Sequence, residues 1–280
     1  MPLPPERVED FNQLAYATQD GKPFLFNRMD GWVGRSFEEY GEWSGGEDDL
    51  FRELLFPGMC ALDIGANVGA HTVAMAEAVG PRGTVLAFEP QRLAYYNLIA
   101  NVALRSYQHV YPHNAAIGNA RGEIKIPMLD YTYRNNVSGL SLDPDAPGFE
   151  GCQAFDTVPV LPIDDLNLPR VHLIKADVEG MEIDVVKGGA NTIAAHKPLL
   201  YLEADRVHKR HALLRYLNDV LAYDAYWHTP PLFRADNPKH QTRNIFPDES
   251  GGSLVSFMWL CVARSRGVTM DARLVVEADL

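Results

Sequence analysis

The chain is poor in cysteine, in positive charge and in long apolar runs. Its three cysteines, Cys60, Cys152 and Cys261, are odd in number, far apart and without CxxC spacing. A disulfide framework and a zinc site are both disfavoured on that count. Lys and Arg number 25 against 37 Asp and Glu, for a formal net charge of −12 over 280 residues. A surface with that balance does not attract phosphate backbones or anionic bilayers, so neither nucleic acid nor a membrane is the expected partner. The longest apolar stretch, Leu254 to Ala263, is about half the roughly 20 residues that a transmembrane helix needs. The opening MPLPPERVED has neither a basic start nor an apolar run, so it does not read as a signal peptide, and a cytoplasmic location is the expectation. No internal repeat or low-complexity tract occurs.

Hydrophobic residues make up 46% of the chain, ordinary for a globular protein with a sizeable core. From Met59 onward, strand-like and helix-like segments alternate. Met59 to Ile64, Thr84 to Phe88, Val110 to Ile117, residues 171–176 and Pro198 to Leu202 read as strands. Ala70 to Val79, Leu93 to Leu104, Glu182 to Ile193 and His208 to Leu221 carry apolar residues at helical spacing. Gly122 to Leu129 alternates weakly, as an extra edge strand would, and 130–158 reads as a long loop. Ala225 to Phe233 and Leu254 to Ala263 read as a closing pair of strands. Strands alternating with helices predict an α/β fold, a mostly parallel sheet with helices on both faces. The expected organisation is an N-terminal cap segment over 1–50, an α/β domain over 51–265 and a tail over 266–280.

The strongest chemical signal is Asp63-Ile64-Gly65-Ala66-Asn67-Val68-Gly69 between the first strand and the first helix. Gly65 permits a sharp turn and Gly69 a close helix approach. Asp63 stands where ligands bind in open α/β sheets, outside the carboxyl ends of the strands. Asn67 occupies the position that a dinucleotide fingerprint gives to glycine, and no GK[ST] follows, so neither that motif nor a P-loop is present. A DxGxxxG turn suits an adenosyl ligand whose tail carries an amino acid. Glu89, 20 residues after Gly69, ends the next strand and is placed to accept both hydroxyls of a ribose. Asp177 ends the strand expected beside the first one, where a carboxylate can orient a reactive group or take its proton. His208 and His240 are further candidate bases, whereas His71 reads as a polar residue in a first helical turn. Lys175 lies inside an apolar strand and needs a partner, for which Glu203 is the candidate. Asp177, Glu179 and Glu203 together could hold a divalent cation, which the reading leaves open without assigning a metal site.

Four stretches, Ala61 to Gly69, Phe88-Glu89-Pro90, Leu173 to Glu182 and Pro198 to Glu203, resemble the FkbM family of S-adenosylmethionine-dependent methyltransferases, of the class I Rossmann-like group. Tyr40-Gly41-Glu42-Trp43 and Asn136 to Ser141 are also similar, and the likeness spans roughly residues 37–263. Ala176 departs from the larger apolar residue more usual there. The resemblance implies a seven-stranded, mostly parallel sheet with an antiparallel last strand. It implies that Asp63, Gly65, Asn67 and Gly69 bind S-adenosylmethionine around its methionine part, and that Glu89 holds the ribose. Asn114, Ala115 and Ala116 would lie near the adenine and Asp177 near the sulfonium. It also implies O-methylation of a small molecule, a sugar, glycoside or natural product. Asp177 is the first candidate base, then His208 and His240. The loops at 130–158 and 234–253 are expected to build the acceptor pocket with Tyr40, Trp43, Tyr131 and Tyr133, although Tyr40 and Trp43 could equally pack the N-terminal segment. A noncatalytic adenosyl-binding scaffold and, less well, a nicotinamide oxidoreductase are the alternatives. A homodimer is compatible with the sequence but not decided by it.

Overall fold

The computed structural model describes residues 13–18, 22–129, 134, 139 and 154–280. Tyr131, Tyr133, Cys152 and all of the Asn136 to Ser141 similarity except Gly139 lie outside them. The described N-terminal part forms an antiparallel hairpin of β1 (Gln13–Ala17) and β2 (Pro23–Asn27), then α1 (Val33–Glu39) and α2 (Gly45–Leu54). Phe24 and Phe26 of the hairpin stack on Phe37 of α1. Helix α2 runs through the boundary expected at residue 50, and its Phe51 is fully buried in the main core.

The alternating segments then form β3 (Cys60–Ile64), α3 (Ala70–Val79), β4 (Thr84–Phe88), α4 (Arg92–Leu104) and β5 (Val110–His113). A small three-stranded sheet follows, built from β6 (Ala116–Ile117), β7 (Gly122–Pro127) and β8 (Phe155–Leu161). The rest comprises β9 (Leu173–Ala176), α5 (Glu182–Gly188), α6 (Ala190–His196), β10 (Leu199–Glu203), α7 (Val207–Arg215), β11 (Tyr223–His228) and β12 (Met258–Ala263).

The main sheet has seven strands in the order β11-β12-β10-β9-β3-β4-β5. Only β12 runs against the others, inserted between β10 and β11, so the expected Rossmann-like α/β class and antiparallel last strand are both present. Successive side chains of a strand face opposite sides. Leu62, Ile64, Ile174, Leu200 and Leu202 face α5, α6 and α7 in one core. Ala61, Val85, Ala87, Leu173 and Tyr201 face α2, α3 and α4 in the other. Because β3 is followed outward by β4 and β5 on one side and flanked by β9 and β10 on the other, the order reverses between β3 and β9. That switch point is where open α/β sheets leave a crevice for ligands.

The segmentation read from sequence needs four corrections. Val110 to Ile117 is not one strand: the chain leaves the main sheet after His113, where Asn114 donates from Nδ2 to the carbonyls of Glu89 (2.8 Å) and Pro90 (3.0 Å). Gly122 to Leu129 does supply an edge strand, but of the separate three-stranded sheet, whose order is β6-β8-β7. Its partner β8 lies partly within the stretch read as loop, with Pro159 in its middle. Proline is tolerated there because β6 reaches only Val160 and Leu161, which leaves β7 as the partner on one side. Glu182 to Ile193 is two helices, broken where a Cβ on Gly188 would stand 2.0 Å from the Gly118 carbonyl oxygen. His208 to Leu221 ends as a π-helical turn over Tyr216–Leu221.

Candidate active site

Parallel pairing sets the site. Register places Asp63 of β3 beside Lys175 of β9, and Lys175 beside Tyr201 of β10. All three face α2 and α3. Lys175 Nζ is 3.1 Å from Asp63 Oδ1, donates to the Gly65 carbonyl at 3.1 Å and lies 3.6 Å from Asp177 Oδ2. Burial disfavours the ammonium, but the charges of Asp63 and Asp177 outweigh it and hold Lys175 well above the usual lysine range. The expected Lys175–Glu203 pair is therefore replaced by Lys175–Asp63, because their strands are adjacent and in register while Glu203 stands beyond the end of β9.

This pairing also relocates Asp63. Its side chain is fully buried, and its second oxygen accepts from Thr72 Oγ1 at 2.6 Å. It braces the turn from beneath and does not line the cavity, so the sequence reading that it meets a ligand directly is not what the structure places there. Gly65 adopts φ +77°, and a Cβ on it would stand 1.8 Å from the Asp177 carbonyl oxygen. Its lack of a side chain lets the turns after β3 and β9 touch. Gly65→Ala is expected to destabilise the protein by at least the ~1–3 kcal/mol of a forced left-handed backbone, read as a lowered urea midpoint. Gly69 has φ +90°, and a Cβ there would meet Leu98 at 2.8 Å. Asn67 is also left-handed, at φ 50°.

A cavity of about 570 Å³ opens over these turns. It runs along the carboxyl ends of the strands from Glu89 past Gly65–Val68 to Asp177 and Glu203. Glu89 is 5% exposed, and its two oxygens accept from the backbone N–H groups of Asn67 (2.8 Å) and Gln91 (2.7 Å). Burial outweighs these donors and pushes its carboxyl up to about 7. Asp177 lines the cavity with its side chain 31% exposed. Asp177, Glu179 and Glu203 each offer an oxygen within 4.8 Å of the others, the trio named from sequence. Glu179 is ion-paired with Arg206, which also meets Asp205 at 2.9 Å. Burial, reinforced by Asp177, pushes Glu179 up to about 8.

Several named residues fall elsewhere. His208 and His240 are exposed and do not line the cavity. Helix α7 turns His208 outward, and the His240 backbone is fixed by a bond from its N–H to the Asn237 carbonyl. Asn114, Ala115 and Ala116 do not line it either: the asparagine ties β4 to β5, and the two alanines are buried. Tyr40 is fully buried, and its hydroxyl accepts from Ile245 N–H at 2.6 Å. It anchors the 234–253 loop, as does Arg234, which grips Glu42 through two 2.6 Å contacts. Trp43 does line the cavity, with Trp32.

Glu47 and His71 also line the cavity, and the sequence reading misses both as site residues. Ser44-Gly45-Gly46-Glu47 carries the capping-box spacing that starts a helix, and Ser44 Oγ donates to Glu47 Oε1 at 2.7 Å. His71 reads as an ordinary first-turn residue until α2 is packed on α3, which sets Asp48 Oδ1 2.8 Å from its Nδ1.

Residues 63–233, more than half of the chain, match the family model for the methyltransferase FkbM domain. The curated protein Methyltransferase 1 of Beauveria bassiana is 30% identical over 144 residues, 45% of this chain and 57% of that protein. The crystal structure of methyltransferase FkbM from Methylobacillus flagellatus KT is similar at 18% identity with a TM-score of 0.43, over 77% of this chain and 50% of that one. Precorrin-6y C5,15-methyltransferase from Geobacter metallireducens is similar at 12% identity with a TM-score of 0.45, over 77% and 87%. The chain thus spans about half the length of the first two. With the family model covering the cofactor-type turn, the Glu89 strand end and the Lys175–Asp177 strand end together, the chain belongs to the FkbM methyltransferase family.

Proposed function

We propose that the protein transfers a methyl group from S-adenosylmethionine to a hydroxyl of a small molecule, a sugar, glycoside or other natural product. The observation that carries this reading is the cavity itself. It lies across the switch point, with a buried carboxylate at the β4 end and a second, accessible one at the β9 end. An electron-poor methyl sulfonium supplies the reactive carbon. What remains for the protein is to hold the acceptor in line, exclude water and receive a proton. Glu89 is placed to accept the two ribose hydroxyls with the lone pairs its backbone donors leave free. Asp177 is placed to accept the acceptor proton, with Lys175 Nζ 3.6 Å from its Oδ2. Trp32 and Trp43 offer aromatic faces on which an acceptor ring can lie. The net charge of −12 disfavours RNA as the acceptor. No helix among the described residues is long and apolar enough to cross a membrane.

Isothermal titration with S-adenosylmethionine and, separately, NAD tests the class. Micromolar binding of the first and none of the second is expected; the reverse would make the protein an oxidoreductase, and binding of neither would leave only the fold. Glu89→Ala is expected to weaken S-adenosylmethionine binding roughly 10- to 100-fold, the loss of charge-assisted hydrogen bonds worth about 1.5–3 kcal/mol. Hydroxyls donate best to the ionised carboxylate. With Glu89 pushed up to about 7 in the free protein, affinity should be low at acidic pH and rise as pH passes through about 7. Glu89→Gln should flatten that rise, and a profile unchanged in the variant would remove Glu89 from the ribose contact.

A further inference from the structure

The α-amino acid end of S-adenosylmethionine brings a zwitterion into the cavity, and the acidic residue expected near it from sequence, Asp63, is spent on Thr72 and Lys175. Two other buried groups have capacity left. Glu47 is 3% exposed and His71 is 5% exposed, and both line the cavity. Glu47 Oε2 and His71 Nε2 have no hydrogen-bond partner. They stand 3.8 Å apart, too far to satisfy each other. Polar atoms this deeply buried are normally paired, and an unpaired one is costly.

Both side chains are held in place from behind. Ser44 fixes the other oxygen of Glu47, and Asp48 fixes Nδ1 of His71. The His71 ring packs edge-on to Phe51 at 5.4 Å. Burial opposes a charge on His71, but the Asp48 hydrogen bond and the charges of Glu47 and Asp48 raise it above the usual histidine range. When His71 is protonated, Nε2 is a donor beside the Glu47 acceptor. His71 also sits in the first turn of the ten-residue α3, where backbone N–H groups lack helical acceptors and favour an anion. The opposite end of the cavity cannot do the same work. Asp177, Glu179 and Glu203 offer acceptors alone, and Arg206 beside them is engaged by Glu179 and Asp205.

We propose that Glu47 and His71 form the subsite for an α-amino acid zwitterion, Glu47 Oε2 accepting from the ammonium and His71 Nε2 donating to the carboxylate. The inference rests on the cofactor reading above and assigns the part of the cofactor that Glu89 does not hold.

The test compares two probes by isothermal titration. S-adenosylhomocysteine carries the zwitterion, and 5′-methylthioadenosine keeps the adenosyl thioether without it. Wild type should bind the first more tightly. Glu47→Gln and His71→Gln should each weaken S-adenosylhomocysteine at least about tenfold, the scale of one lost charged hydrogen bond, and leave 5′-methylthioadenosine within twofold. Thermal melts establish that each variant is folded, and Glu47→Gln decides alone if His71→Gln is not. Equal binding of the two probes by wild type overturns the subsite and leaves the cofactor reading standing. So does a Glu47→Gln variant that binds S-adenosylhomocysteine like wild type or loses both probes equally. Binding of neither probe by wild type overturns both.

Discussion

Asp177→Asn is expected to lower kcat by roughly 10²- to 10⁴-fold, the usual contribution of a positioned general base, while the dissociation constant for S-adenosylmethionine stays within a few-fold. The replacement is nearly isosteric. It removes the capacity to take a proton at the one strand-end carboxylate that is both accessible in the cavity and 3.6 Å from a fixed ammonium. His208→Ala and His240→Ala should leave kcat close to wild type, since both imidazoles are exposed and away from the cavity. Steady-state methyl transfer to an identified acceptor is the measurement. An Asp177→Asn enzyme at full rate, or a His208→Ala enzyme that is dead, would move the base elsewhere.

Lys175→Met is expected to cost about 3–5 kcal/mol of stability, because it leaves the fully buried Asp63 carboxylate without its counter-charge. It also frees the Gly65 carbonyl that Lys175 caps, so cofactor affinity should fall with stability. Urea unfolding of Lys175→Met, Asp63→Asn and the double variant forms a thermodynamic cycle. The double variant should lose clearly less than the sum of the singles, since groups in direct contact do not add. Additive losses would mean that the two side chains act independently and that the pair does not organise the turn.

Much of this protein is written locally. The DxGxxxG turn, the strand ending at Glu89 and the strand running into Asp177 are legible because backbone geometry demands particular residues there. Glycine must occupy a position with φ +77° pressed against another carbonyl, and buried parallel strands read as unbroken apolar runs. The α/β class with a mostly parallel sheet follows from the alternation of such segments, whereas the count of seven strands is what the family resemblance implies. The trio Asp177, Glu179 and Glu203 is legible for the same reason, since the ends of adjacent parallel strands lie on one rim.

What only the tertiary structure decides is which buried group meets which. Lys175 needs a partner by its chemistry, but the choice of Asp63 over Glu203 is made by strand order and register. That choice withdraws Asp63 from the cavity. Tyr40 and Trp43 are three residues apart and equally aromatic, yet one anchors the 234–253 loop and the other lines the cavity. Glu47 and His71 lie 24 positions apart on different helices, and nothing local marks them as a pair. They become one only when α2 packs over α3 and buries an acid and an imidazole in space that neither fills. Local sequence sets which backbone shapes are possible, and the packing of distant segments sets the few polar contacts on which the site depends.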